Sequence, residues 1–424
     1  MVLLLTAATG AWAQSTTTTT KTYKVTMKSG TKDAEHWTIS DGTTTKTGKD
    51  GLDAVAEGKT VTLNYTGRLK VKSVTATHDG TNVIDLSNIP ASLIASDGHT
   101  VTVPDGATLT GTLDGTTQKF KVSIADGATV TLDGVTINGV NEVGCLWAGL
   151  TCAGDATIIL KDGTENTVKG FSNDFPGIFV REYKKLTIKG GTTDPGKLTA
   201  SPFDGGTDDS YGAGIGGGFA KNCGAIEILG GIITATGGKY ASGIGSCFEG
   251  SWGDIIISGG NVTSKGGDYA AGIGSGHFGG KNGYGNISIT GGTVYATGGE
   301  GGAGIGSGNG SNNGSQSPKA ICGDITISGG TVEATGGEKA AGIGTGSYYS
   351  KCGNISITSN VTKLTATKGS GAYCSIGWGS TVNSLQTSCG TVRIGCTLDT
   401  DGNPVGGNTG KISTSPFTYQ PSNP

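Results

Sequence analysis

Residues 211–238 read YGAGIGGGFAKNCGAIEILGGIITATGG, and residues 240–267 read YASGIGSCFEGSWGDIIISGGNVTSKGG. The pattern occurs six times between Tyr211 and Gly379. Its Gly/Ser-Ile-Gly cores centre on Ile215, Ile244, Ile273, Ile305, Ile343 and Ile376. The shortest spacing runs from Ile215 to Ile244 and the longest from Ile305 to Ile343. Such a period marks a solenoid, in which each repeat buries its apolar face against its neighbours. Each copy carries three short strand signals: I-x-I (Ile226/Ile228, Ile287/Ile289, Ile325/Ile327), V-x-A after a Gly-Gly turn (Val294/Ala296, Val332/Ala334), and A-G-I-G (Ala271/Ile273, Ala341/Ile343). Apolar residues two apart share one face of a strand, and the polar residues between them face out. Gly and β-branched residues are poor helix formers, so paired helices are excluded. Three strands per turn with Gly-Gly corners predict an all-β chain built on a parallel β-helix.

The period divides into a constant and a variable part. From the first Ile of I-x-I to the next core Ile the spacing is identical in four copies: Ile226–Ile244, Ile255–Ile273, Ile287–Ile305 and Ile325–Ile343. From each core Ile to the next I-x-I it runs 11, 11, 14, 20 and 12. Stacked repeats therefore collect their insertions at one corner, where function is expected. Weaker alternation upstream, as in HTVTVPDGATLTG and FKVSIADGATVTLDGVTI, extends the β-helix over residues 92–415, followed by a tail, 416–424. The segment IDLSNIPASLIASDG reads as a cap over the first coil, since a solenoid end needs covering.

The chain has 424 residues, 81 of them Gly, with 15% charged and a net charge of −3. Weak charge of no particular sign argues against nucleic acid and anionic membrane surfaces as partners. MVLLLTAATGAWAQ has the apolar run and A-x-A end of a secretory leader, so residues 1–13 are expected to be removed and the protein to be secreted or displayed at a cell surface. The competing reading is a buried N-terminal strand. A Thr-rich linker, 14–20, precedes a module of alternating strands, 21–90, that reads as a small β-sandwich. No later run is long enough to span a membrane as a helix. A monomer is expected.

Nine cysteines are present. Cys223, Cys322 and Cys352 fall in one column three residues before the I-x-I strand, alternating with Trp252 and Tyr284. Cys322 and Cys352 lie in adjacent coils, within disulfide range, and compete with a reading as small buried hydrophobes. Cys145/Cys152 and Cys389/Cys396 share a seven-residue spacing and are the stronger disulfide candidates. With no C-x-x-C and no His near a Cys pair, zinc is not expected.

The GGTVxATGG and AGIGSG repeats, DGATVTLDGVTI and the C-terminal STSPFTY resemble the right-handed, single-stranded, pectin-lyase-like parallel β-helix superfamily. More narrowly they resemble the Gly-rich carbohydrate-binding surface proteins of anaerobic and gut bacteria. YKVTMKSGTKDAEHWTI is similar to modules of secreted Bacteroidales proteins. The resemblance implies contact with a plant or host polysaccharide. The superfamily's enzymes need paired carboxylates or an acidic Ca²⁺ cluster with an Arg or Lys base. Asp208-Asp209 is the adjacent acidic pair of the repeat region and a candidate Ca²⁺ site, set against a reading as turn residues. No catalytic residue is assigned, and Ca²⁺ is the one cofactor candidate.

Asp254, Asn286, Asp324 and Asn354 share the column just before the I-x-I strand, which suits a corner ladder serving backbone groups, or else a row of metals. Aromatic residues gather at the variable corner: Tyr211, Tyr240 and Tyr269 in one column, Phe219 and Phe248 in another continued by His277/Phe278, then Trp252, Tyr284, Tyr348 and Tyr349. Aromatic faces beside amides and ammonium groups suit sugar rings, whose C–H faces are apolar and whose edges carry hydroxyls. The competing role is packing over coil edges. The expected function is non-catalytic carbohydrate binding or adhesion, against a polysaccharide lyase or hydrolase and a structural stalk.

Overall fold

The structure, a computed structural model, describes residues 3–7, 22–27, 37–47, 50–56, 59–65, 74–77, 83–140, 144–203, 210–280, 283–310, 320–380 and 387–421. The chain divides into two units, Met1–Asn82 and Val83–Pro424. In the first unit, Leu3–Ala7, Thr22–Met27 and Leu52–Ala56 form one antiparallel sheet. Thr45–Thr47, Trp37–Ser40, Thr60–Tyr65 and Val74–Thr77 form another. Val25, Ile39, Leu52, Val55, Val61 and Leu63 make its core. Leu3–Ala7, within the expected leader, pairs with Thr22–Met27 in register Leu5↔Val25.

The second unit is a right-handed parallel β-helix. Right-handed crossovers are the rule when a twisted strand returns to pair in parallel with its own sheet. Three parallel ladders run along it. One stacks the I-x-I strands, from Ala156–Leu160 through Ile255–Ile257 to Val392–Leu398. A second stacks the V-x-A strands, from Glu165–Lys169 through Asn261–Lys265 to Lys363–Thr367. A third has ten members and joins the Ile-Gly cores, running from Thr100–Val103 to Ile376–Gly377. The register is one repeat per coil: Ile244↔Ile273↔Ile305↔Ile343↔Ile376. Alternation follows from it. Ile226, Ile255, Ile287, Ile325 and Ile355 are buried, while Thr234, Thr263, Tyr295, Glu333 and Thr365 stack on the outer face.

The Gly of each Ile-Gly core explains why the motif is invariant from copy to copy. Gly274 has φ +128°, and a Cβ there would meet the carbonyl oxygen of Gly306 in the next coil at 2.0 Å. Only Gly allows both this backbone and this approach. The second Gly of the Gly-Gly corner has positive φ as well, +83° at Gly260 and +79° at Gly292.

Both ends are covered. Val83–Asp85 already pairs with Thr108–Thr110, so the segment read as a cap also supplies the first rung, and a 3₁₀ turn, Ala91–Leu93, follows it. Ile84 and Leu86 are buried in the main core. At the other end Asn408–Thr409 runs antiparallel to Arg393–Ile394, and Phe417–Tyr419 antiparallel to Leu364–Ala366. Strands of reversed direction end the parallel stack and occupy an otherwise open edge. Phe417 and Tyr419 pack against the core, so part of the expected tail belongs to the fold.

Candidate functional site: a groove where a polar ladder breaks

The column just before the I-x-I strands is a chain of hydrogen bonds from backbone to side chain. Asp254 Oδ1 accepts the Asn286 N–H at 2.8 Å, and Asn286 Oδ1 accepts that of Asp324 at 2.9 Å. Asp324 Oδ1 accepts the Asn354 N–H at 2.7 Å, and Asn354 Oδ1 accepts that of Thr391 at 3.0 Å. These carboxylates and amides serve corner N–H groups that the strands leave over. Among the described residues no group of three or more His, Cys, Asp or Glu could hold a metal ion. Asp208 and Asp209 lie outside the described residues.

Two coils earlier the same column holds Lys185 and Ala225, which cannot accept in this way. Asp155 Oδ1 takes the Lys185 N–H at 2.9 Å, and the Ala225 N–H turns to the Lys184 carbonyl at 2.8 Å. A groove of about 450 Å³ opens at this break. Its walls include Asp155, Glu182, Tyr183, Ser251, Trp252 and Tyr284. The volume lies within the range of small-ligand sites.

The groove's chemistry is mixed in a specific way. Tyr183 is 91% exposed and Tyr284 50%. Tyr183 sits in a left-handed backbone at φ +61°, at the tip of the turn in which Lys184 N–H bonds back to the Arg181 carbonyl. A bulky residue there costs on the order of 1 kcal/mol or more, which is tolerated where the surroundings hold the turn. Trp252 is 4% exposed, and its Nε1 is buried without a hydrogen-bond partner; the Oγ of neighbouring Ser251 is in the same condition. Each such group costs on the order of 1–3 kcal/mol until something bonds it. Asn222 joins the two sides, its Nδ2 donating to Glu182 Oε1 at 2.9 Å and its Oδ1 accepting the Ser251 N–H at 2.9 Å. A hydrogen bond with the Glu182 carboxylate pushes the Tyr183 phenol above its ordinary range. The lysines at the rim are engaged: Lys184 Nζ with Asp126 at 3.2 Å, Lys185 Nζ with Glu227 at 3.0 Å. The groove thus offers aromatic faces and carboxylate acceptors.

The other aromatic candidates form a separate cluster. Tyr211, Tyr240 and Tyr269 stack with ring centroids 5.0 and 5.6 Å apart, and Phe219 stacks on Phe248 at 5.6 Å. His277 lies 5.1 Å from Tyr269 and 3.8 Å from Phe278. It is buried, with Nδ1 2.8 Å from the Asn309 carbonyl oxygen, so that nitrogen carries a proton. Most of these rings are half-buried against one another, and Phe219 is the exposed one. The corner begins on strained backbone: Ala220, Glu249, Phe278 and Tyr348, each five residues past a core Ile, have φ of +48°, +55°, +55° and +42°. Tyr348 and Tyr349 stand apart from both groups, half-buried, with Lys339 Nζ 6.0 Å from the Tyr348 ring.

The cysteines fall elsewhere than their seven-residue spacings suggest. Cys152 is a buried thiol on the strand Leu150–Cys152, pushed up to about 12 by burial, and Cys145 is a buried member of the same core. Cys396 is a buried thiol directed at the Ile357 carbonyl, and Cys389 is a thiol paired in register with Cys352. In a solenoid, contacts recur at one period rather than at seven residues.

Sequence reasoning brings Trp252 and Tyr284 to the groove but misses Tyr183, Glu182 and Asp155. Their two coils lack the Gly-Ile-Gly signature. The signal is nonetheless present, because Tyr183 stands three residues before Leu186, as Trp252 does before Ile255.

A family model described as a beta helix repeat matches residues 226–250, 255–277, 287–309 and 325–347. No curated protein matches the chain, and no solved structure does. Each match begins on the first Ile of an I-x-I strand and ends shortly after the following core Ile, so it covers the constant part and stops where the variable corner starts. With the three parallel ladders, these repeats place the chain among the parallel β-helix proteins.

Proposed function

We propose that this is a secreted or cell-surface protein that binds polysaccharide without cleaving it, and that the groove at Tyr183, Trp252 and Tyr284 is its principal contact. The observation that carries the reading is the pair of exposed tyrosines, Tyr183 and Tyr284, that border one groove. Sugar C–H faces lie against aromatic rings, and ring hydroxyls can donate to the remaining lone pairs of the groove carboxylates. A glycan array spanning plant and host polysaccharides, run with and without chelator, tests this. Binding that Tyr183→Ala and Tyr284→Ala abolish supports it; no binding to any glycan sinks it. Loss of binding with chelator alone would assign a Ca²⁺ requirement to the corner.

A hydrolase is the second reading, favoured by one observation: Asp155 and Glu182 both border the groove. Glycosidases place two carboxylates about a glycosidic bond. Release of reducing ends from any bound glycan, lost in Glu182→Gln, would replace the binding reading with this one.

A further inference from the structure

Three cysteines stand in register at the C-terminal part of the β-helix. Cys322, Cys352 and Cys389 each lie three residues before an inner-ladder strand, those of Ile325, Ile355 and Val392. Their segments pair as a separate parallel sheet of three: Ala320–Ile321, Ser350–Cys352 and Ser388–Cys389. Cys352 and Cys389 are direct partners across it, and the register Ile321↔Lys351 sets Cys322 opposite Cys352 on its other side. Paired strands run about 4.8 Å apart, inside the Cα separation that a disulfide spans. Equivalent contacts repeat along the column: the Cys352 thiol donates to the Gly323 carbonyl and the Cys389 thiol to the Gly353 carbonyl, each at 3.8 Å. Cys322 and Cys352 are buried, whereas Cys389 is only partly so.

We infer that Cys352 and Cys389 form a disulfide between adjacent coils when a low-molecular-weight disulfide is present, leaving Cys322 as a thiol. Cys389 is the entry point because a small reagent reaches it. Its thiolate attacks the reagent RSSR and releases RS⁻, giving Cys389–S–SR. The Cys352 thiolate then attacks the Cys389 sulfur, forming Cys352–S–S–Cys389 and releasing the second RS⁻. The two cysteine protons leave with the two RS⁻ groups as RSH, so two thiols are oxidised and one disulfide is reduced. The Cys322 thiol beside Cys352 and the Cys352 thiol beside Cys389, each with burial added, hold both groups above the usual thiol range. The reaction therefore quickens toward alkaline pH. The product ties one coil to the next in an architecture whose repeats touch only their neighbours. It closes a loop at the end of the stack, where the unfolded chain has freedom to lose.

The test uses the full chain, purified reduced and then exposed to oxidised glutathione at about pH 8.5. Remaining thiols are blocked with N-ethylmaleimide in denaturant, and peptides are mapped without reduction. The expected product is a Cys352–Cys389 linked peptide with Cys322 alkylated, and a Tm several degrees above that of the reduced protein. The Tm shift disappears in Cys389→Ser and persists in Cys322→Ser. Alkylation of both Cys352 and Cys389, glutathione left on Cys389, or a link between Cys322 and Cys352 would each overturn the assignment. The mapping of the unsubstituted chain decides the matter even if a serine variant does not fold.

Discussion

One column of the β-helix, three residues before the I-x-I strand, is built in two ways. Over its first part it holds Tyr183, Cys223, Trp252 and Tyr284; over its last it holds Cys322, Cys352 and Cys389. Where the side chains are small thiols, the flanking segments close to strand spacing and pair as a fourth parallel sheet. Where large rings alternate with the single thiol Cys223, that residue makes only an isolated antiparallel bridge to Arg181, and a groove lies beside it. Large side chains on successive coils cannot all fit within about 4.8 Å of one another and remain in one layer. Some are pushed outward, as Tyr183 and Tyr284 are, and one, Trp252, is driven inward. The inner ladders pass through both parts unchanged. Scaffold and surface are thus set by different residues of the same repeat.

That separation can be broken at several points. The largest effect is expected from Gly274→Val and Gly344→Val, one in each part. Their φ values are +128° and +132°, and a Cβ would lie 2.0 and 1.9 Å from the next coil's carbonyl oxygen. Each should cost more than about 4 kcal/mol, measured by denaturant unfolding. Similar losses would show that one interior serves both parts, and tolerance at either site would refute it.

Alkaline pH comes next. Burial pushes the Cys247 thiol from 9.0 up to about 12. Below pH 9 folded and unfolded chains both keep this proton. Above it the unfolded chain releases the proton while the folded chain holds it until about pH 12, so stability falls as pH rises through that window. The slope is about 1.4 kcal/mol per pH unit for one thiol, or about 2 kcal/mol between pH 9 and 10.5. Cys247→Ser should flatten the stability profile by that amount; an unchanged profile would deny the burial.

A binding measurement separates the two parts of the column directly. Tyr183→Ala and Tyr284→Ala should each weaken glycan binding about tenfold, equivalent to about 1.4 kcal/mol, with Tm nearly unchanged. Cys322→Ala should leave affinity as it was. Equal effects at all three positions would mean that the groove is not the contact. The smallest change belongs to the polar ladder. Asp254→Ala and Asp324→Ala each remove the acceptor of one backbone N–H, at a cost of about 1 kcal/mol in unfolding experiments. A much larger loss at Asp254 alone would show that the groove's edge depends on it.

The architecture is legible in the sequence because stacking turns a period into a register. The constant stretch from Ile255 to Ile273 fixes which residues sit above one another, and the outer column from Thr234 to Thr365 follows from it. The groove is legible only in part. Trp252 and Tyr284 carry the repeat's signature around them, but Tyr183 belongs to a coil whose core reads Ile178-Phe179-Val180 instead of Ile-Gly. The cysteines misalign for a related reason: seven residues along the chain is a distance within one coil, whereas Cys352 meets Cys389 across a whole turn. In the sequence the aromatic side chains at one corner look like a single surface. The structure divides them, because the rings four residues before and four after the core Ile residues Ile215, Ile244 and Ile273 pack on each other, and those three before the strand border open space.

The three ladders also bear on mechanics. Their interstrand hydrogen bonds point from coil to coil, so tension along the axis loads the bonds of all three ladders at a single boundary together. The coil at the end yields first, because beyond it lies only a short capping segment, and the next boundary then takes the load unchanged. Extension therefore proceeds in similar steps, each releasing one repeat, with the longest step where Ile305 and Ile343 bound the largest insertion. A molecule held at one end and gripping a polymer with the other would stretch by increments rather than fail at once.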